Sequence, residues 1–413
     1  MKLIAVLDCN NFFVSCERLF RPDLKNKPVV VLSSNDGCVI ARSQEIKDRG
    51  IPMAVPYFQV KDKLAEIKAI IFSAHLALYR DISRRVFAVV ERSYDEVEEY
   101  SIDECFFYVD SEKVEEELKA LKDRVEREVG VPVSLGVASS KTIAKQASKL
   151  AKKTSSGVEY ISNNRWREQF SDLSLSQLWG VAGGRSQQFA RNGLTTVADL
   201  IATDDTWLKA NLGKETVNLK AEVSGQRAYP LQSSWQLPKS FLSSRSFAKT
   251  TNDINLILDA VSYHVGQVVK SLKRNDLNAR TIKVGIYPSR FSDWQLAGTT
   301  LAATMNVPTA SLLQFNKQAI SLARSAFRSG VPYQRVAVSL SEIGQSQMGN
   351  ATLFSEEKPE VDITATILRI NQQFAQDVIQ LGRLPKVFSF TTKQEAKSPA
   401  YTTRWTELQK VKA

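Results

Sequence analysis

Tyr100-Ser101-Ile102-Asp103-Glu104-Cys105-Phe106-Phe107-Tyr108-Val109 places two adjacent carboxylates inside an apolar, aromatic-rich run. Such a run reads as a buried strand, where an ionised carboxylate is costly unless something, commonly a metal ion, offsets it. A second acid arrives in the same way near the start of the chain, where Lys2-Leu3-Ile4-Ala5-Val6-Leu7 runs into Asp8. Taken singly, each acid reads more readily as a turn residue, because the chain carries 44 Asp and Glu. Two apolar strands that each deliver an acid are nevertheless what a two-metal phosphoryl-transfer site requires. Mg²⁺ takes oxygen ligands and is usually held by one or two carboxylates plus substrate phosphates.

The 413 residues are enough for two to four domains, and 43% hydrophobic with 24% charged residues is the composition of a soluble globular protein. No apolar run is long enough to span a bilayer, and the N-terminus lacks the pattern of a secretory signal, so no membrane partner is expected. Four cysteines without zinc-type spacing and only two histidines argue against a transition-metal site and for a cytoplasmic protein. Net charge is +11. Residues 241–344 hold 12 Lys and Arg against 5 Asp and Glu, which suggests a polyanionic partner as readily as a merely soluble basic domain.

After Asp8, the run Cys9-Asn10-Asn11-Phe12-Phe13-Val14-Ser15-Cys16-Glu17 reads as a helix leaving a strand, with Asp8 at its carboxyl edge. An aromatic face there can exclude a 2′-OH, the group that distinguishes RNA from DNA; as isolated residues Phe12 and Phe13 read as core. Pro28–Leu32 reads as a strand, and Val39-Ile40-Ala41-Arg42 leads into a helical run through Lys47 that ends near Gly50. Val114, Leu118, Leu121, Val125 and Val129 mark an amphipathic helix without chemistry, and Val131–Ala138 marks a further strand. Lys141, Lys145 and Lys149 follow at four-residue steps and share a helical face, a candidate phosphate or DNA contact, with Lys152 and Lys153 beyond. The run from Trp179-Gly180-Val181-Ala182-Gly183 to Leu200 reads as a helix-hairpin-helix, whose glycines let amides approach a DNA phosphate. A linker over 231–240 precedes the basic module of alternating strand-like and helical runs, and the chain past Gly344 turns polar and irregular and reads as a tail that is partly ordered at best.

Several long motifs in order now resemble the Y-family translesion DNA polymerases, most closely the UmuC branch, over nearly the whole chain. They are Asp8–Glu17, Arg21-Pro22-Asp23-Leu24, Asn35–Arg42, Tyr100–Glu104 and Ser398-Pro399-Ala400-Tyr401-Thr402-Thr403-Arg404-Trp405. The resemblance implies a multidomain α/β (α+β) fold shaped as a right hand: a palm (1–24 and 75–166), fingers (25–74), a thumb with helix-hairpin-helix (167–230) and, after the linker, a little finger (241–344). A tail with partner-binding segments would occupy 345–413.

The same resemblance assigns residues. Asp8, Asp103 and Glu104 match the catalytic metal acids, holding two Mg²⁺ ions with the Cys9 carbonyl. Phe13 falls at the position that opposes ribonucleotides, Phe12 beside the triphosphate, Lys47 and Lys152 on it, and Ile40 over the nascent base pair. Lys141, Lys145, Gly180, Gly183 and Arg245 are the candidate DNA contacts. Ala182 stands where the family usually has a second glycine. Leu353 and Phe354 are the apolar anchor of a sliding-clamp peptide that lacks its usual Gln. The implied activity is error-prone, template-directed synthesis in the SOS response to DNA damage. The implied partners are primer-template DNA, a dNTP, a processed UmuD-type dimer, a RecA filament and the clamp, in a bacterial cytoplasm at the nucleoid. A non-catalytic assembly factor on the same scaffold, or a nucleotide cyclase with paired acids, are the competing readings. The intact acids oppose the first, and the basic module and hairpin oppose the second.

Overall fold

The computed structural model describes residues 2–110, 112–232, 237–289, 297–345, 363–373, 378–379 and 394–408. The chain divides into two units, Met1–Trp235 with Thr392–Ala413, and Gln236–Thr391.

The first unit is built on β1 (Leu3–Cys9), which runs into α1 (Phe12–Phe20). A small sheet follows from β2 (Val29–Leu32), β3 (Val39–Arg42) and, after α2 (Gln44–Lys47) and α3 (Tyr57–Glu66), β4 (Ile70–Ser73). Its order is β3-β2-β4, with β4 parallel to β2 and at the edge, and its own core holds Val30, Leu32, Val39, Ile46, Ile51 and Leu64. The chain then returns through α4 (Leu76–Glu91), β5 (Val97–Glu99), β6 (Glu104–Val109), α5 (Val114–Glu128), β7 (Val133–Ala138), α6 (Lys141–Ala151) and β8 (Val158–Tyr160). These strands complete a five-stranded sheet, β5-β6-β1-β7-β8, in which β1 is central and antiparallel to both neighbours.

The two-residue period of a strand divides this sheet into two cores. Ala5, Leu7, Cys105 and Phe107 face α1, α4 and α5, where α5 buries Val114, Leu118, Leu121 and Val125. Ile4, Val6 and Phe106 face α6 with Ile143, Ala144 and Ala147. Each such Leu, Val or Ile contributes about 1.5–3 kcal/mol by leaving water. Helix α6 lies close against the sheet because Gly136 has no side chain: a Cβ there would stand 2.0 Å from the Ser148 amide nitrogen and 2.3 Å from the Ala144 oxygen. The sequence reading of 100–109 as one strand is corrected at its start. Residues 100–103 form a tight bend, in which the Tyr100 and Ser101 amides both donate to the Glu104 oxygen, and the strand begins at Glu104.

The unit continues through α7 (Asn163–Phe170), α8 (Gly183–Arg191), α9 (Val197–Ala202), α10 (Asp205–Leu212) and α11 (Lys214–Val223). Helices α8 and α9 form a hairpin about Gly193, whose φ is +74°. A capping box of Thr196 and Asp199 starts α9, and amides of Thr195 and Thr196 hold the Asp199 carboxyl down to about 2.

The second unit is an antiparallel sheet of order β11-β10-β12-β9, formed by β9 (Ser240–Thr251), β10 (Leu277–Pro288), β11 (Thr299–Thr309) and β12 (Tyr333–Gln345). Its apolar face is covered by α12 (Ile254–Arg274) and α13 (Leu312–Ala326). Parts of the tail are ordered. Helix α14 (Thr364–Gln373) packs Ile367 on the core of the second unit, and residues 394–408 pack on the first. Among the described residues no helix is long and apolar enough to cross a membrane.

Candidate active site

Antiparallel register sets Asp8 of β1 directly opposite Glu104 of β6. Both follow the alternation of Val6 and Phe106, so they project from the α6 face of the sheet. Lys145 of α6 reaches this pair: it is ion-paired with Glu104, and its Nζ lies 3.8 Å from Asp8 Oδ2. Lys152 Nζ stands 2.7 Å from Asp8 Oδ1. Burial and the neighbouring Asp8 push the Glu104 carboxyl up, against the pull of Lys145.

Asp103 is not drawn into this cluster. Its Oδ1 accepts a 2.6 Å hydrogen bond from Ser101, while its backbone oxygen accepts from the Cys9 amide at 2.9 Å. Among the described residues, no three His, Cys, Asp or Glu side chains are grouped to hold a metal ion. Asp8 and Glu104 stand opposite each other, while the Asp103 side chain is bonded to Ser101. The Cys9 thiol is buried and pushed well up by that burial, which leaves its backbone carbonyl as the group available to a hard cation.

Beyond Asp8 the chain turns at Asn11, in the left-handed region with φ 48°, and α1 begins without a side-chain cap. Its first amides are open to an acceptor. Lys47, the last residue of α2, donates to Asn11 Oδ1 at 2.5 Å. Burial, with Lys152 and Arg42 nearby, pushes the Lys47 ammonium down, as expected where three cations gather. Phe13 is partly exposed and stacks on Tyr79, with centroids 4.6 Å apart at 15°. The Phe12 ring is 3% exposed and packed in the core, as its reading as an isolated residue had it. Ile40 is half-buried on β3.

The candidate DNA contacts divide. Lys141 is 3% exposed, and its Nζ donates to Glu98 Oε2 at 2.6 Å and to the Pro230 oxygen at 3.0 Å. It is a buried anchor, and a phosphate cannot reach it; Lys145 likewise belongs to the acid pair. Gly180 takes φ +80°, and Gly183 opens α8, whose N-cap Ala182 supplies no side-chain cap. A Cβ at either glycine would meet nothing within 4 Å. Arg245 lies on β9 opposite Val336, its guanidinium 5.7 Å from the centre of the Tyr263 ring. Leu353 and Phe354 lie outside the described residues. Sequence reasoning missed Asn11, Glu98, Glu17 and Tyr79, whose partners are distant in the chain and leave no local signal.

Residues 7–149 match the impB/mucB/samB family, residues 238–353 match the C-terminal domain of that family, and residues 362–411 match a domain of unknown function, DUF4113. The chain belongs to the impB/mucB/samB family. It is 29% identical to the protein UmuC of Salmonella typhimurium over 423 residues, covering 99% of this chain and 100% of that protein. Identity to DNA polymerase IV 1 of Bacillus subtilis is 24%, covering 95% of each chain. A solved Y-family DNA polymerase chimera superposes with a TM-score of 0.72 at 19% identity, covering 83% of this chain and 99% of that one, a likeness of fold.

Proposed function

We propose that this family member is an error-prone, template-directed DNA polymerase that extends primers across lesions during the SOS response. The observation that carries the reading is the Asp8–Glu104 register pair, held where β1 ends and β6 begins, beside the lysine-lined start of α1. Two adjacent carboxylates, partly desolvated and neutralised by Lys145 and Lys152, are an oxygen donor set suited to Mg²⁺. Asp8, Glu104, Asp103 and the Cys9 carbonyl would hold two Mg²⁺ ions, which when bound supply activation of the primer 3′-OH and charge neutralisation at the triphosphate.

The chain's own groups do the remaining work in this reading. Lys47, Lys152 and the uncapped amides of α1 bind the triphosphate. The ring of Phe13 occupies the space a 2′-OH needs, and Ile40 covers the base pair. Gly180, Gly183 and the open amides of α8 take a DNA phosphate, as does Arg245, while Lys141 and Lys145 are withdrawn from that role. In this reading a processed UmuD-type dimer is the partner protein. A RecA filament, the sliding clamp through Leu353 and Phe354, and a cytoplasmic, nucleoid-associated location complete the proposal.

The test is Mg²⁺-dependent primer extension on an abasic template, with the UmuD-type dimer and RecA filament present. Asp103→Ala with Glu104→Ala is expected to abolish incorporation and retain DNA binding. Binding without extension by the unmodified chain under every partner combination would replace this reading with the assembly-factor one.

A further inference from the structure

The C-terminal segment, part of the block matched only to a domain of unknown function, packs against β4 and α1. Residues 394–397 lie along the free edge of β4. The Ser73 amide donates to the Ala396 oxygen at 3.0 Å, the Ala396 amide returns a bond to Ser73 Oγ at 3.1 Å, and Ser73 pairs with Lys397 as a parallel bridge. Tyr401 stacks on Phe20 of α1, with centroids 4.5 Å apart at 15°. Ser398 is thereby held inside, 7% exposed.

Its hydroxyl donates to Glu17 Oε1 at 3.0 Å and lies 3.2 Å from His75 Nδ1. Glu17 is a fully buried carboxylate on α1, and the same Oε1 accepts the Tyr79 hydroxyl at 2.6 Å. Oε2 has no hydrogen-bond partner among the described residues, so Ser398 and Tyr79 are what hold this acid in place. Tyr79, itself fully buried, is the plate against which Phe13 stacks, and Phe13 lies one helical turn before Glu17. One continuous set of contacts thus runs from Ser398 through Glu17 and Tyr79 to the ring beside the pocket.

We propose that the segment 394–408 is a positioning element of the polymerase, in which Ser398, through Glu17 and Tyr79, sets the Phe13 ring and hence how strictly ribonucleotides are rejected. The inference rests on the assignment of Phe13 to the sugar. Two rings stacked at 4.6 Å transmit small displacements, because a packed interior has no slack to absorb them. Ser398 is a positioning residue: it touches neither substrate nor metal acid.

The experiment is single-nucleotide incorporation by the full chain with its partner proteins, comparing kcat/KM for a dNTP and the matching rNTP. Phe13→Ala should lower the dNTP preference roughly a hundredfold, and Ser398→Ala about fivefold, the scale of one hydrogen bond. The Ser398→Ala loss should appear as a lower KM for the rNTP with DNA affinity unchanged. Ser398→Thr, which keeps the hydroxyl, should restore most of the preference, and Trp405→Ala, 89% exposed on the same segment, should leave it alone. Adding Ser398→Ala to Phe13→Ala should change nothing further, because the contacts act through that ring. If Ser398→Ala fails to fold, Tyr79→Phe removes the other bond to Glu17, keeps the stacked plate, and should move the ratio in the same direction.

A second readout needs no activity. The ¹⁹F signal of a ring-fluorinated phenylalanine at position 13 should shift in Ser398→Ala and in Tyr79→Phe. The inference is overturned if Ser398→Ala keeps both the preference and the ¹⁹F signal while Phe13→Ala loses the preference, or if the two effects add in full. Should Phe13→Ala itself leave the preference intact, the sugar assignment fails and takes this inference with it.

Discussion

Lys141 and Lys145 are one turn apart on the same face of α6, yet the fold gives them opposite tasks. At Lys141 the partner Glu98 is also satisfied by the Gln232 amide at 2.7 Å, and the lysine itself reaches the Pro230 oxygen. The charges are buried, balanced and saturated, and together they clamp residues 230–232 to the sheet. At Lys145 the partners are two acids, Asp8 and Glu104, opposite each other where β1 ends and β6 begins. Their neutralisation depends on the side chains of Lys145 and Lys152, and an incoming cation can compete for it. The same residue type is a rivet where its partner's capacity is filled by backbone, and a counter-ion where that capacity is left over.

Four substitutions probe this contrast. Asp8→Ala should lower primer extension by at least about 10³-fold, because in the proposed mechanism the acid would hold the Mg²⁺ ions that act on the reacting phosphates. Its thermal midpoint in EDTA should not fall, since Glu104 loses a like-charged neighbour. Lys141→Ala should cost about 3–5 kcal/mol in chemical denaturation, because it strands Glu98 in the interior. Activity per folded molecule should survive it; a stable but inactive Lys141→Ala would break the distinction.

Lys145→Ala should be milder, about 1 kcal/mol in metal-free buffer, and its cost should shrink when Mg²⁺ is added. The Lys141→Ala cost should be indifferent to Mg²⁺, so a Mg²⁺ titration of the two unfolding midpoints separates rivet from counter-ion. Lys149→Ala, on the exposed continuation of that face, should stay within about 0.5 kcal/mol of the unmodified chain. If it meets DNA, the slope of log affinity against log salt should fall by roughly one.

Buried Glu17 adds a pH-dependent check on stability. Burial raises its carboxyl above the ordinary value, so the folded state holds the proton more tightly than the unfolded one. Its contribution is therefore complete below the ordinary carboxylate value and lost as pH rises through the raised one. Glu17→Gln should flatten this part of the pH–stability curve, read by thermal unfolding across that window.

Much of the candidate site was legible in the sequence because its signals are local. An apolar run ending in Asp8, an Asp-Glu pair before Cys105-Phe106-Phe107 and lysines at four-residue steps are all patterns of two or four residues. The extent of the helix over 114–128 followed from the same periodicity. Other details turn on partners distant in the chain. Phe12 and Phe13 are neighbours of one chemistry, but helix rotation sends one ring into the core and leaves the other partly exposed. Asp103 and Glu104 are adjacent, but the bend at 100–103 ties the first to Ser101 and leaves only the second in register with Asp8. The tail read as irregular because its polar residues find their partners 300 and more positions away.

The sequence by itself determined the strands, the helices, the acids they carry and the family to which the chain belongs, because hydrophobic period and motif spacing act over a few residues. Only the tertiary structure decided that Lys141 is buried, that Asp8 faces Glu104, and that Ser398 closes on Glu17 across 381 positions. Those outcomes depend on strand register, on the absence of a side chain at Gly136, and on which distant carboxylate has an unfilled lone pair when the chain returns.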